Sequence, residues 1–225
     1  MGKWVGSVKK CVIVGAGMCD AQRLKGQIRL DENDLCIAAD GGLDYLTAIG
    51  LTPDLVIGDM DSLEHKEGLV SSHADFRIKR LPSEKDDTDM LAAIKEGLAA
   101  GYRQFVIYGA LGGRFDHIIA NIQCLLYLSN RGAKGVLVGD DVTLMLIRNE
   151  KVDFPAGSAE AGNRISVFAF GGDAHGVSEK GLKYLLDDVT VKLEFPIGVS
   201  NEFIGEDAEI EVKDGMLLLC VEGLR

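Results

Sequence analysis

Two aspartates separated by one residue, Asp59 and Asp61, follow directly after the apolar run Leu55-Val56-Ile57. The strand predicted for this run breaks at Gly58, so both carboxylates can turn toward one point. Further aspartates occupy comparable places after other predicted strands, namely Asp40, Asp86, Asp87, Asp89 and Asp116. So much negative charge in one cleft repels itself unless a cation binds there. The pattern predicts a magnesium site that handles a polyphosphate, because carboxylate oxygens suit this hard cation.

A second element of chemical interest is the run Gly112-Gly113-Arg114-Phe115-Asp116-His117. Glycines let backbone amides approach a phosphate, and Arg114 can pair with two phosphate oxygens at once. The alternative is a glycine turn followed by a surface arginine and a helix-capping aspartate. Lys85 is another cation near the acidic group, and its alternative is a solvated loop lysine. Asp40, Asp86 and Asp87 can likewise be explained as ordinary helix caps.

The elements that must position these residues alternate between strand and helix in the first half of the chain. Apolar runs predict strands at residues 10–14, 35–39, 55–57, 76–80 and 105–108. Helical periodicity predicts helices at 43–49, 88–98 and 118–130. This alternation is typical of a Rossmann-like α/β domain, with a mainly parallel sheet and helices on both faces. Ligands of such sheets bind at the carboxyl ends of the strands, so the separate motifs are expected to converge there.

After Gly132 the pattern changes to short strands between turn residues, which predicts an all-β domain. We therefore predict two domains, 1–134 and 135–225. Residues 209–212 and 216–220 flank Lys213-Asp214-Gly215, which we interpret as a β-hairpin.

Composition narrows the classes of function. Of the 225 residues, 35 are acidic and 24 basic, for a net charge of −11, which argues against a nucleic-acid-binding surface. No stretch approaches the roughly 20 apolar residues of a membrane span, and the N-terminus lacks a signal-peptide core, so no membrane contact and a cytoplasmic location are expected. The five cysteines form no Cys-x-x-Cys pair, which indicates neither a disulfide framework nor a zinc site. Gly15-Ala16-Gly17 is a weak dinucleotide motif, because Asp20 stands where the third glycine belongs.

Taken together, the motifs closely resemble the thiamine pyrophosphokinase family. The resemblance rests on Ala39-Asp40-Gly41-Gly42, on Pro53 to Ser62, on Asp86-Asp87-Thr88-Asp89 and on Gly112 to His117. In the second half, Lys180 to Leu186 and Ser200-Asn201-Glu202 look like that family's thiamine-binding segment. Order and spacing agree over nearly the whole chain.

The resemblance implies a homodimer with active sites at the subunit interface. Each subunit would have an α/β nucleotide-binding catalytic domain and a C-terminal β-sandwich that binds thiamine. The implied reaction moves the β,γ-pyrophosphoryl group of ATP to the hydroxyl of thiamine and leaves AMP, with Mg²⁺ as the cofactor. Eukaryotic members place a tryptophan near thiamine, but the only tryptophan here is Trp4, at the wrong end of the chain.

The resemblance also implies roles for individual residues. The catalytic and metal-binding positions are Asp59, Asp61 and Asp89, with Asp40 near the metal and the phosphates. The nucleotide side is matched by Asp40, Lys85, Gly112, Gly113, Arg114 and Asp116. The substrate contacts are Thr88, Ser200 and Asn201. Either Asp61 or Asp89 would orient or deprotonate the thiamine hydroxyl.

Three alternatives use the same residues differently. A magnesium-dependent phosphohydrolase would direct the aspartates at water. A non-catalytic nucleotide or thiamine sensor would bind its ligand and form no AMP. A purely structural, oligomerising protein would leave the acidic cluster unexplained.

Overall fold

The computed structural model describes residues 9–59, 76–82 and 86–224, and the chain divides into two compact units. The first lies within Ser7–Asp140, and the second begins at Asp141. The first unit thus extends beyond the boundary that we predicted at residue 134. Among the helices of the described ranges, none has the length and apolar character that a membrane span requires.

The first unit contains a six-stranded sheet in which every neighbouring pair is parallel. Its strands are β1 (Cys11–Val14), β2 (Leu35–Ala39), β3 (Leu55–Gly58), β4 (Arg77–Arg80), β5 (Gln104–Tyr108) and β6 (Lys134–Val138). Their order across the sheet is β6-β5-β1-β2-β3-β4. All strands but β4 are largely buried, which explains their near-continuous apolar sequences. The predicted α/β character of this half is confirmed.

Four helices accompany this sheet in the described residues. They are α1 (Ala21–Gln27), α2 (Gly42–Ala48), α3 (Asp89–Ala99) and α4 (Phe115–Ser129). Helix α3 begins where predicted, because the Thr88 Oγ1 accepts a hydrogen bond of 3.1 Å from the Leu91 amide. The sequence pattern does not predict α1, since Leu24 is the only side chain that this helix buries. One apolar residue gives no periodicity.

The second unit is built from antiparallel strands. They are β7 (Val142–Arg148), β8 (Lys151–Phe154), β9 (Arg164–Ala169), β10 (Ala174–Lys180), β11 (Leu186–Val191), β12 (Gly198–Glu202), β13 (Ala208–Glu211) and β14 (Met216–Glu222). One sheet has the order β12-β9-β14-β7, and the other has the order β11-β10-β13-β8. Phe154 and Phe203 meet edge to face between the buried layers, with ring centroids 5.6 Å apart. The predicted all-β sandwich is confirmed.

The hairpin that we predicted across residues 213–215 is wrong. Strand β13 pairs with β8 and β10, whereas β14 pairs with β7 and β9. The connection therefore carries the chain from one sheet to the other. Gly215 supplies the turn, with φ of 113°, but a turn signal does not tell which strand each neighbour joins.

Candidate active site

A cleft of about 380 Å³ opens in the first unit where the strand order reverses. From β1 the sheet proceeds through β2 and β3 to β4 on one side, while β5 and β6 lie on the other side of β1. The loops that follow β1 and β5 therefore border a crevice, which is the usual ligand site of open α/β sheets. The cleft is lined by these loops, the end of β2 and the first turns of α3 and α4.

Glycines bring the loops after β1 and β5 into direct contact. The Gly17 amide donates to the Gly109 carbonyl oxygen at 2.9 Å. A methyl group on Gly112 would lie only 2.0 Å from the Met18 carbonyl oxygen, and one on Gly15 would lie 2.8 Å from the Gly109 oxygen. Only glycine fits at such contacts. The Gly15-Ala16-Gly17 run, which the sequence analysis took as a weak motif, thus lines the cleft together with Gly112 and Gly113.

Two of the predicted carboxylates, Asp40 and Asp89, line the cleft. Asp40 ends β2 in a left-handed conformation, with φ of 51°, and its amide donates to the Ile57 carbonyl oxygen at 2.8 Å. This conformation is uncommon outside glycine, and such strain gathers at functional sites. Asp89 is the first residue of α3, where its negative charge also complements the helix dipole.

Asp59 lies one residue beyond β3, the neighbour of β2, so the ends of both strands bring Asp59 and Asp40 to the same edge of the sheet. A methyl group on Gly58 would lie 3.2 Å from the Asp40 Cα, which shows how closely the two backbones approach. Asp59 does not line the part of the cleft that the described residues form. Asp61 and Lys85 lie outside the described residues.

The donor set of the cleft fits a magnesium ion in chemical type. Asp40 and Asp89 offer carboxylate oxygens, and Mg²⁺ usually binds one or two carboxylates together with substrate phosphates and water. Within residues 9–59, 76–82 and 86–224, no three His, Cys, Asp or Glu side chains form a metal-holding group. Asp40 and Asp89 are therefore the two carboxylates of the cleft that could contact such an ion.

Arg114 lines the cleft just before α4 and is held by Asp116. The Arg114 Nε donates to the Asp116 Oδ1 at 3.1 Å, and the Nη2 donates to the Oδ2 at 2.6 Å. The Arg114 guanidinium keeps the pKa of the Asp116 carboxyl below its usual value. Both side chains are largely exposed, so the pair can exchange partners at little cost. Asp116 thus orients an arginine that already presents two-point geometry.

Thr88 both caps α3 and lines the cleft. Its capping of the helix is therefore compatible with the predicted substrate contact. The neighbouring Asp87 binds Lys95, with distances of 2.7 and 2.6 Å from its carboxylate oxygens to the Lys95 Nζ.

Ser200 and Asn201 lie in β12 of the second unit. Ser200 is exposed with φ of 62°, and its amide donates to the Ser166 Oγ at 3.0 Å. Asn201 is only 5% exposed and makes hydrogen bonds to Glu179, Tyr184 and Glu202. The two predicted substrate contacts are therefore adjacent in sequence, but one side chain is exposed and the other is buried.

Met18 and Asn121 also line the cleft, and the sequence motifs do not include them. Met18 is 74% exposed. Asn121 is buried in α4, and its Nδ2 donates to the Ala110 carbonyl oxygen at 2.8 Å. One pattern in the sequence could have identified Asn121. It lies on the apolar face of a predicted helix, three residues after Ile118, where polar residues are uncommon.

Two family models match the chain in order. The model described as thiamin pyrophosphokinase, catalytic domain, matches residues 27–137. The model described as thiamin pyrophosphokinase, vitamin B1 binding domain, matches residues 151–217. The first match contains most of the cleft, and the second contains Ser200 and Asn201.

Relatives of the whole chain agree with these matches. A thiamine pyrophosphokinase of Bacillus subtilis is 31% identical over 84% of this chain and 87% of its own length. The crystal structure of a thiamine pyrophosphokinase from Bacillus subtilis superposes with a TM-score of 0.83 at 25% identity, covering 95% of this chain and 99% of that one. The yeast thiamin pyrophosphokinase structure shares the fold, with a TM-score of 0.72 at 18% identity over 97% of this chain and 87% of that one. The chain therefore belongs to the thiamine pyrophosphokinase family of enzymes, which transfer pyrophosphate from ATP to thiamine.

Proposed function

We propose that this chain catalyses its family's reaction and that the cleft of the first unit holds the ATP. The observation that carries the proposal is the convergence of Asp40, Asp89 and Arg114 on one crevice at the reversal point of a parallel sheet. Pyrophosphoryl transfer needs in-line positioning and neutralisation of phosphate charge rather than a covalent partner from the protein. Carboxylates for a metal ion and an arginine for phosphate oxygens meet that need.

The phosphates lie, in this proposal, against the loops after β1 and β5. Backbone amides of Gly112 and Gly113 can approach phosphate oxygens because these residues have no side chain. Arg114 exchanges its exposed contact with Asp116 for two phosphate oxygens. Lys85 keeps the nucleotide-side role that the sequence predicts for it.

We propose Mg²⁺ as the cofactor, held by Asp40 and Asp89 together with Asp59 and Asp61. Bound there, the ion would neutralise negative charge on the phosphates. The support is the oxygen-donor chemistry of the two carboxylates in the cleft. Removal of the ion with a chelator should abolish AMP formation, and addition of Mg²⁺ should restore it.

The chain's own residues then handle the thiamine hydroxyl. Thr88 is in position to contact the substrate from the first turn of α3, beside Asp89. Asp61 or Asp89 orients or deprotonates the hydroxyl as it attacks the β-phosphorus. The thiamine ring itself is bound through the second unit, a proposal supported by the match to a vitamin B1 binding domain.

One incubation tests the proposed function against its rivals. Purified protein is mixed with ATP, Mg²⁺ and thiamine, and the products are separated. We expect AMP and thiamine pyrophosphate in equal amounts. Phosphate or pyrophosphate released without thiamine would favour a phosphohydrolase, whereas binding without AMP would favour a sensor.

The homodimer with interfacial sites is also a proposal. It predicts that Asp89→Asn and Ser200→Tyr, each inactive alone, rescue each other in mixed dimers. Each heterodimer would contain one site with both lesions and one with neither. Unfolding, mixing and refolding should recover up to about a quarter of wild-type activity. No recovery despite confirmed heterodimers would mean that each site is built within one subunit.

Two further assignments complete the proposal. We propose that the first unit is Rossmann-like, supported by the parallel order β6-β5-β1-β2-β3-β4. We also propose a nucleotide-binding role for residues 1–134, a thiamine-binding role for residues 135–225 and a cytoplasmic location, as the sequence predicts.

A further inference from the structure

A buried carboxyl group in the second unit has no role in the site described above. Glu179 lies in β10 and is only 2% exposed. Its Oε2 accepts a hydrogen bond of 2.6 Å from the Asn201 Nδ2. Its Oε1 is buried and has no hydrogen-bond partner among the described residues. A buried polar atom without a partner is uncommon and calls for an explanation.

The surroundings of Glu179 favour its neutral form. No cation pairs with it in the part of the chain that the structure describes, and an isolated buried anion is costly. Burial raises the pKa of the Glu179 carboxyl, while the hydrogen bond from Asn201 opposes that rise. In the neutral form the Oε2 still accepts the bond from Asn201.

Asn201 has no hydrogen-bonding capacity left for a ligand. Its Nδ2 donates to the Glu179 Oε2 and to the Tyr184 carbonyl oxygen, each at 2.6 Å. Its Oδ1 accepts from the amides of Tyr184 and Glu202, each at 2.9 Å. An asparagine amide offers two donors and two acceptor positions, and all four are used. The side chain is therefore suited to hold protein backbone rather than to contact thiamine.

The backbone that Asn201 holds joins two segments that look like thiamine-binding elements. The amide of Lys183 donates to the Glu202 carbonyl oxygen at 3.0 Å, and Leu182 forms a bridge with Phe203. Around this buried join, Ser200 is exposed and Tyr184 is 60% exposed. Asn201 thus lies beneath the surface that Ser200 and Tyr184 present.

We propose that Glu179 is a positioning residue for thiamine recognition: it holds the Asn201 amide, which fixes the backbone of residues 182–184 against residues 200–203. The inference rests on the proposed thiamine-binding role of the second unit. It links the two sheets of the sandwich, because Glu179 belongs to β10 and Asn201 to β12. Neither side chain touches thiamine in this scheme. Their effect is to keep Ser200 and Tyr184 in register.

The experiment compares four purified single variants and one double variant with the wild type. Glu179→Leu removes the acceptor, Glu179→Gln keeps it in the shape of the neutral acid, and Asn201→Ala breaks the same link from β12. Glu211→Leu is the matched control, because Glu211 lies on the neighbouring strand β13, opposite Ser178 of β10. Thiamine affinity is measured by calorimetry, and the KM values for thiamine and ATP are measured under conditions where urea unfolding shows each variant to be folded.

We expect Glu179→Leu and Asn201→Ala to weaken thiamine binding and raise its KM by about tenfold or more, with the KM for ATP within about twofold. Glu179→Gln should retain thiamine affinity within about threefold, since its amide oxygen can accept from Asn201. Combining Glu179→Leu with Asn201→Ala should be no worse than Asn201→Ala alone, because both remove one link. Glu211→Leu should match the wild type.

Several results would overturn the inference. Unchanged thiamine affinity in folded Glu179→Leu would remove the positioning role. If Glu179→Leu does not fold, unchanged thiamine affinity in folded Asn201→Ala would also remove the positioning role. A loss in Glu179→Gln as large as in Glu179→Leu would mean that the carboxyl touches thiamine directly. An equal rise in both KM values would indicate general packing. A wild type that neither binds nor converts thiamine would instead refute the proposed function itself.

Discussion

Gly112 offers a sharp test of how the cleft that we propose for ATP is built. A Cβ atom on this residue would lie 2.0 Å from the Met18 carbonyl oxygen and 2.8 Å from the Met18 carbonyl carbon. Real Cβ contacts essentially never fall below 3.0 Å, so Gly112→Ala forces the loops after β1 and β5 apart by about 1 Å. The atoms that must move are backbone atoms, which cannot rotate out of the way as a flexible side chain does.

The displacement sets the expected magnitudes. Overpacking of this kind costs about 1–3 kcal/mol of unfolding free energy, which a two-unit chain of this size can tolerate. The effect on catalysis is larger, since a misplacement of about 1 Å near the reacting groups can cost about 100-fold in rate. We therefore expect Gly112→Ala to fold and to lose at least about tenfold in kcat/KM for ATP.

Urea unfolding and steady-state kinetics measure the two effects separately. Gly26→Ala is the matched control, because Gly26 lies in α1 with nothing within 4 Å of its Cβ position. That change should stabilise the chain by about 0.5–1 kcal/mol and leave kinetics unaltered. Wild-type kcat/KM for ATP in Gly112→Ala would refute the view that close packing of these loops shapes the cleft.

Three more predictions address other residues. Arg114→Lys keeps the charge but loses two-point geometry, so the KM for ATP should rise about tenfold while that for thiamine changes little; equal ATP saturation curves would make Arg114 a surface residue. Asp89→Asn should lower kcat by about 100-fold or more without loss of fold, as judged by circular dichroism; near-normal turnover at saturating Mg²⁺ would contradict a metal or catalytic role. Burial raises the pKa of Glu179 in the folded chain above its usual value of 4.5. The side chain therefore stabilises the fold at a pH below 4.5, and this stabilisation is lost as pH rises through the pKa of the folded state. Relative to Glu179→Gln, the wild type's unfolding free energy should fall over that range by at most about 1.4 kcal/mol per pH unit, and a flat difference between the two proteins would count against the neutral acid.

Much of the first unit follows from local patterns in the sequence. The apolar runs predict β1, β2, β3 and β5 to within a residue or two, because buried parallel strands are apolar on both faces. The convergence of Asp40, Asp89 and Arg114 follows from topology alone, since the carboxyl ends of parallel strands lie at one edge.

The features that the sequence does not predict depend on contacts between residues that are distant in sequence. The turn at 213–215 looks like a hairpin, yet β13 and β14 join different sheets, and no local pattern records that choice. The Gly15-Ala16-Gly17 run lacks the third glycine of the dinucleotide-binding motif, but its contacts with Gly109 and Gly112 shape the cleft. The hydrogen bond between Asn201 and Glu179, which belongs to the other sheet, likewise leaves no local pattern in the sequence.

The two sites that we propose are built by different physical means, and this difference has a measurable consequence. The cleft relies on backbone contacts that only glycine allows, together with a left-handed Asp40. The Ser200 region relies on one buried amide held by a buried carboxyl group. Changes at Gly112 should therefore act through ATP, and changes at Glu179 through thiamine. Because Gly112 and Glu179 belong to different units and share no hydrogen-bond partner in the described chain, the effects of the two changes on ligand-binding free energy should add in the double variant. A strong departure from additivity would mean that the two ligands are recognised cooperatively, with occupation of one site altering the geometry of the other.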